Sequence, residues 1–411
     1  MAQTAAHLVD RVLPDVPWRQ WVLTLPYPLR YRVAYDPRLQ TLILRTYMQT
    51  LEGWQRRRGR EFGLTNPRWG GVTVIQRFGS ALQLTPHFHT LGMDGVYDIG
   101  GNPDRARFHP LEPPTENDVD RLVNRVRARV LSTLVRRGVL SIRDEAFLEP
   151  DALSFEEPAM AVCYGDAIQG RLAFDEGSGQ RLPRRSTDTE SPLVESRVPL
   201  SARSQGFDLH AGVALSAGDR LGLERLCRYI ARPPIANDRL QRLDDGRVSL
   251  RLKRPFSDGS THVTFTPHAF IERLCALIPR PRTHRVRYHG LLAPASPFRR
   301  LVVPQLDDSS SPSLSTEMSP TGQPQEPSPD DRAVARRRLR WVLWAELLRR
   351  VFDVDALECP QCHGRMRVIA AIMKADVIAA ILESLGLDTE PPTIRSARAP
   401  PEHELVEIDW T

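Results

Sequence analysis

The alternation of apolar and polar residues divides the first 300 residues into strands and helices. In "RQWVLTLP" (19–26), Trp21, Leu23 and Leu25 share one face and Val22 and Thr24 the other, which predicts a strand. "PRLQTLILRTYMQTLEGWQRRRGRE" (37–61) has helical periodicity and ends in a basic cluster. "GGVTVIQRFG" and "SALQLTPHFHTLGMDGVYD" predict two strands joined at Gly79-Ser80. "ENDVDRLVNRVRARVLSTLVRRG" predicts a second amphipathic helix, stopped by Gly138. Residues 183–206 are polar and basic and predict an exposed insertion. Strands mixed with helices predict an α+β fold, an antiparallel sheet flanked by helices.

The pattern stops at residues 304–331. This segment holds seven Ser and six Pro in 28 residues and almost nothing apolar. It predicts a disordered Ser/Pro-rich acidic linker over 303–331. A large domain, 1–302, precedes it, and a small, mainly helical, basic region, 332–411, follows it.

Composition sharpens this division. The formal charge is +6, with Arg supplying all but two of the 56 basic side chains; the two lysines are Lys253 and Lys374. A GC-rich genome accounts for that ratio. The linker carries six acids and no base, so the rest of the chain carries +12. A fold that basic predicts a polyanionic partner, nucleic acid first. No apolar run approaches the ~20 residues of a membrane helix, and the N-terminus has no signal core. Five scattered cysteines fit a reducing compartment, so the expected location is cytoplasmic.

Two patterns carry candidate chemistry. In "LTPHFHTLGMDGVY" (84–97), strand alternation buries Phe88 and presents His87 and His89 together on the opposite, polar face. Imidazoles ~6.5 Å apart along a strand can converge on one cation. Taken alone, the pair is two exposed histidines on a half-buried strand. In "SAGDRLGLERLCRYIARPPIANDRL" (216–240), Ser216 and Asp219 fit a capping box, and Leu223, Leu226, Cys227 and Ile230 form a buried stripe. Tyr229 lies off that stripe, on a face with Arg225, Arg228 and Arg232, where arginines would hold phosphate and favour phenolate. Taken alone, Tyr229 is an amphipathic residue at a core edge.

Weaker signals remain. Cys359 and Cys362 in "ECPQCHG" form half of a zinc site, and structural zinc needs four ligands, so a tight turn is the expectation. "RAVARRRLRWVLWAELLRRVF" predicts a basic amphipathic helix. "IPRPRTHRVRYHG" (278–290) reads either as a groove for DNA or as a solvated loop.

A His-hydrophobe-His strand followed by a tyrosine helix resembles the HUH endonucleases. Within that superfamily the chain resembles the rolling-circle insertion-sequence transposases. The likeness rests on "VIQRFGSALQLTPHFHTLGMDGVY", "GFDLHAGVALSAGDRLGLERLCRYIARPPIANDRL", "LIPRPRTHRVRYHGLLAP" and "LRWVLWAELLRRVFDVDALECPQCHGRMRVIA", in the family's order. The resemblance implies that His87 and His89 bind a divalent cation, Mg²⁺ or Mn²⁺. It implies that Tyr229 is the nucleophile, forming a 5′-phosphotyrosine on single-stranded DNA at the ends of a mobile element. Two-tyrosine members carry a second tyrosine four residues on; Pro233 stands there, as in the single-tyrosine branch, so that either Tyr229 acts twice or two subunits cooperate as a homodimer. Relatives usually begin with a cysteine-rich zinc-binding domain, and no cysteine precedes Cys163 here. For the third metal ligand the candidates are Gln76, placed by a tight hairpin opposite position 83, Asp94 and Glu224. Two other readings stay open: a DNA-binding remnant without catalysis, and a metal-dependent phosphoesterase with water as nucleophile.

Overall fold

The computed structural model describes residues 1–100, 106–141, 146–147, 151–174, 178–186, 199–256, 258–305, 344–367, 372 and 374–389. The linker from 306 onward, the basic run 332–343 and residues 187–198 of the predicted insertion lie outside the described residues. The described part forms two compact units, one before the linker and one after it.

The first unit is built on a six-stranded antiparallel sheet. Its strands are β1 (Trp18–Thr24), β2 (Gly70–Phe78), β3 (Leu84–Met93), β4 (Ser201–Ser204), β5 (Phe207–Leu215) and β6 (Val286–Gly290), in the order β4-β5-β1-β3-β2-β6. The fold class is α+β, as the alternation predicts. The two ends of the sheet put paired strands in place of the exposed insertion at 201–204 and of the solvated loop at 286–290. The end of the supposed insertion supplies edge strand β4, paired from Ser201 opposite His210 to Ser204 opposite Phe207. The basic segment 278–290 ends in the other edge strand, β6, where His289 Nε2 meets Thr73 Oγ1 at 2.9 Å. Ala202 of β4 and Val286 and Tyr288 of β6 pack against the core, which gives each edge strand an apolar side to bury.

The strand predicted to run through residue 98 breaks at Asp94. Gly95–Asp98 leaves the main sheet and pairs with Pro67–Arg68 and Arg107–Pro110. The break has an electrostatic anchor. Arg19 of β1 donates to both Asp94 carboxylate oxygens, at 2.6 Å from Nη2 to Oδ2, and to the Ala211 carbonyl at 2.9 Å. Both side chains are buried, so the pair holds only because its hydrogen bonds are made.

One face of the sheet is lined by Trp21, Leu23, Ile75 and Phe88. Helix α1 (Pro37–Glu61) covers it, its Trp54 ring meeting Trp21 edge-on at 5.6 Å. Asp36 caps α1, accepting from Arg38 and Leu39 backbone N–H groups. Helix α2 (Glu116–Arg136) lies beside α1, with a Thr115–Asp118 capping box, and Gly138 at φ +69° ends it. The opposite face carries the histidines, and helix α3 (Arg220–Ile230) lies over it.

The second unit holds helices Trp344–Phe352 and Ala375–Ser384. Between them Cys359 and Cys362 sit in a tight turn. Glu358 bridges to Arg365, Cys359 N–H donates to Gly364 O, and His363 N–H donates to Cys359 O. The backbone N–H groups of Cys362 and Gln361 point at the Cys359 sulfur and lower its thiol below the ordinary value. No helix among the described residues is long and apolar enough to cross a membrane.

Candidate active site

Residues opposite one another in an antiparallel sheet present their side chains on one face. Two such rows cross the sheet beneath α3. Gln76, His87, Thr24 and Asp208 form one, and Val74, His89, Val22 and His210 form the other. Sequence alternation correctly puts both histidines on the face away from Phe88. It misses their burial. His87 and His89 are 1% and 2% exposed, with Tyr229 of α3 against His89 and Arg30 and Arg232 near His87.

Burial sets their chemistry. Loss of water pushes His87 down to about 4; the nearby Arg232 and Arg30 guanidinium groups add to the fall, and the Thr85 carbonyl opposes it. His89 is held well below its ordinary value, first by burial, then by His87, Arg232 and His210. Both rings are therefore neutral at pH 7, the form that binds metals. The rings stand 4.8 Å apart, centroid to centroid. His87 Nδ1 donates to the Thr85 carbonyl at 2.6 Å, which leaves the Nε2 lone pair as the donor. His89 Nδ1 lies 2.7 Å from the Gln20 amide. There the Gln20 amide nitrogen donates to Nδ1, which puts the ring proton on Nε2; turning that amide over would give His89 the tautomer of His87 and leave its Nε2 lone pair for a metal.

Gln76 corrects the hairpin expectation. The connection is five residues, closed from Gly79 N–H to Gln83 O, with Leu82 at φ +60°. A bulge between Gln76 and Phe78 then shifts the register, so Gln76 faces His87 and not position 83. Its Nε2 donates to the Ile230 carbonyl at the end of α3, 2.7 Å away. The amide oxygen is left as a hard donor beside the histidines. Of the other ligand candidates, Asp94 is engaged by Arg19, and Glu224 is buried on α3 beside Cys227. Among the described residues no three His, Cys, Asp or Glu side chains are placed to hold one metal ion. Two neutral imidazoles with an amide oxygen are a donor set that fits a divalent cation with water completing its shell.

Tyr229 comes to the pair from α3. Asp219 caps the helix, accepting from Gly222 N–H at 2.8 Å; Ser216 lies too early, and the sequence reading of it as the cap is corrected. Leu223, Leu226, Cys227 and Ile230 are buried, as the stripe predicts. The Tyr229 ring meets His89 edge-on, 6.3 Å between centroids. Arg232 stacks on the tyrosine at 4.3 Å. It does so from beyond the helix end, where Pro233 and Pro234 turn the chain, and not from a shared helical face. Arg225 is exposed and Arg228 half-buried, and neither acts on the histidines as Arg232 does.

Three residues escaped the sequence reading. His210 is buried in the second row, pushed down to about 4, and glycine at 212 leaves room for its ring: a Cβ there would stand 2.8 Å from His210 Nε2. The alternation of "GFDLHAG" was its signal. Arg30 lies near both Asp208 and His87. Lys253, one of two lysines in the chain, puts its Nζ 5.6 Å from the Tyr229 ring centroid. In so Arg-rich a chain, that rarity was the signal.

The structure thus brings a neutral histidine pair together with a cation-flanked tyrosine on one face of the sheet. Residues 70–156 and 170–299, more than half of the chain, match the family described as "Putative transposase" (Y2_Tnp), and the chain belongs to this transposase family. It is 23% identical over 287 residues to the transposase for insertion sequence element IS801 of Pseudomonas savastanoi pv. phaseolicola, covering 68% of this chain and 55% of the relative. It is 26% identical over 224 residues to "Putative transposase y4qJ" of Sinorhizobium fredii, covering 54% and 46%. The chain thus spans about half the length of the curated relatives it matches. No solved structure matches it.

Proposed function

We propose that this chain cuts and rejoins single-stranded DNA at the ends of an insertion sequence, with Tyr229 as nucleophile. The observation that carries this reading is Tyr229 set edge-on against His89 with Arg232 stacked on its ring. The Tyr229 oxygen attacks the scissile phosphorus and the P–O3′ bond breaks. The phenolic proton is given up and the departing 3′ oxygen takes one on, leaving a 3′-hydroxyl and a 5′-phosphotyrosine. The ester conserves the bond energy, so a 3′-hydroxyl of another strand can reverse the step. His87, His89 and the Gln76 oxygen would hold Mg²⁺ or Mn²⁺, which supplies charge to polarise the phosphate and orient it for in-line attack. Arg232, Arg30 and Lys253 bring positive charge to the same pocket and offset the charge that develops on the phosphoryl oxygens. Burial under α3 limits water, which favours the tyrosine over hydrolysis.

Labelled oligonucleotides from the flanks of the gene, incubated with Mn²⁺ and run on a denaturing gel, test this. The expected result is a covalent protein–DNA adduct that Tyr229→Phe abolishes. Cleavage without an adduct would assign the site to a water-using phosphoesterase. Binding without cleavage would leave a DNA-binding remnant, and either result overturns the tyrosine mechanism.

A further inference from the structure

On the side of the sheet away from the histidines, α1 and α2 enclose a cleft of about 290 Å³. Arg45, Arg129, Arg136 and Arg137 line it, with Thr46, Gln49 and Thr133 between them and Leu42 at its edge. Every polar side chain there can donate a hydrogen bond, and no carboxylate lines it. Among the described residues none of the four arginines pairs with an acid. The surrounding sequence explains why. Residues 37–51 of α1 hold no acid, and residues 121–137 hold six arginines and no acid. Arg129 is steadied by donating to Thr50 Oγ1 at 3.1 Å.

We infer that this cleft is a second nucleic-acid site, which grips the phosphate backbone of a DNA strand away from the tyrosine. Planar guanidinium forks match phosphodiester oxygens two at a time, and the size of the cleft suits a phosphate with its sugar rather than a whole cofactor. The cleft offers only one hydrophobic side chain, Leu42, and no aromatic platform for a base, so it grips without reading sequence. A transposase must hold more than one DNA segment, and the two faces of one sheet keep two segments apart. This last step rests on the proposed function; the charge and shape of the cleft do not.

The test is the salt dependence of binding to fluorescein-labelled dT30, in a Tyr229→Phe background so that nothing is cut. One variant carries Arg45→Gln, Arg129→Gln, Arg136→Gln and Arg137→Gln. A control removes equal charge from the same helices outside the cleft, with Arg57→Gln, Arg60→Gln, Arg121→Gln and Arg125→Gln. Each phosphate contact on a single strand contributes ~0.7 to the slope of log K against log salt. The cleft variant is expected to flatten the slope by about 2 to 3 and the control by less than about 1. Equal flattening, or none in the cleft variant, overturns the proposal. If a synthetic peptide of residues 304–331 binds through the cleft arginines while the dT30 slope stays put, the cleft takes acidic peptide, and the nucleic-acid assignment fails. The adduct gel, run on the same variants with Tyr229 restored, separates this inference from the catalytic one. A slope difference without any adduct sinks the tyrosine mechanism alone, and an adduct without a slope difference sinks the cleft alone.

Discussion

A side chain at this site takes its role from what surrounds it. Lys253 is half of all the lysine in the chain, and it stands over the ring that the proposed function makes the nucleophile. Lys253→Ala is expected to slow adduct formation about 10-fold, by removing one charge from the transition state, while dT30 affinity stays within about twofold. A single-turnover time course beside an equilibrium titration reads the two separately. Asp94 lost its candidacy as a ligand to a structural duty. Asp94→Ala leaves Arg19 buried without its partner and is expected to cost about 3–5 kcal/mol in urea denaturation. Neither role was visible at residue scale in the sequence. Asp94 reads as half of an Asp-Gly turn, and Arg19, its partner, is 75 positions away.

Elements decide how far apart these residues stand. Helix α1 was legible end to end, because 25 residues of 3.6-residue periodicity behind an Asp cap leave one solution. The hairpin between β2 and β3 was not. Alternation fixed which residues face together, but the five-residue connection and the bulge fixed which residue faces which, and a bulge leaves no reliable mark in the sequence. That shift carries Gln76 to His87 and ties it to the end of α3. Gln76→Leu is therefore expected to lower Mn²⁺-dependent cleavage by 100-fold or more, on the order of losing a preorganised electrostatic contact. Gln76→Glu, which keeps an oxygen donor, is expected to retain most of it. Equal loss in both variants would assign Gln76 to holding Ile230 and remove it from the ligand set.

Over the whole molecule, burial of the histidines couples folding to pH. His87 sits at about 4 in the fold, against an ordinary value of 6.5. Below pH 6.5 the unfolded chain takes up a proton that the folded chain refuses. Stability is thus full above about pH 6.5 and falls by up to about 1.4 kcal/mol per pH unit for this group on the way to pH 4. His210, also at about 4, adds to the same slope. Urea midpoints at pH 7.5, 6 and 5 are expected to decline in that order, and His87→Gln to flatten the decline; a profile level from 7.5 to 5 would contradict the buried neutral pair.

The sequence by itself determined the local choices: the long helices, the alternation that sends Phe88 one way and the histidines the other, the apolar stripe of α3, and the basic charge that calls for a polyanion. Those depend on periodicity and composition, which are properties of neighbours in the chain. Only the tertiary structure decided what depends on distant segments meeting. It set Tyr229 of α3 against His89, brought Arg232 and Lys253 to Tyr229, placed His210 in the row of His89, and set four arginines of two helices around one cleft. Charge and burial act through space, and the separation of two residues along the chain says little about their distance in the fold.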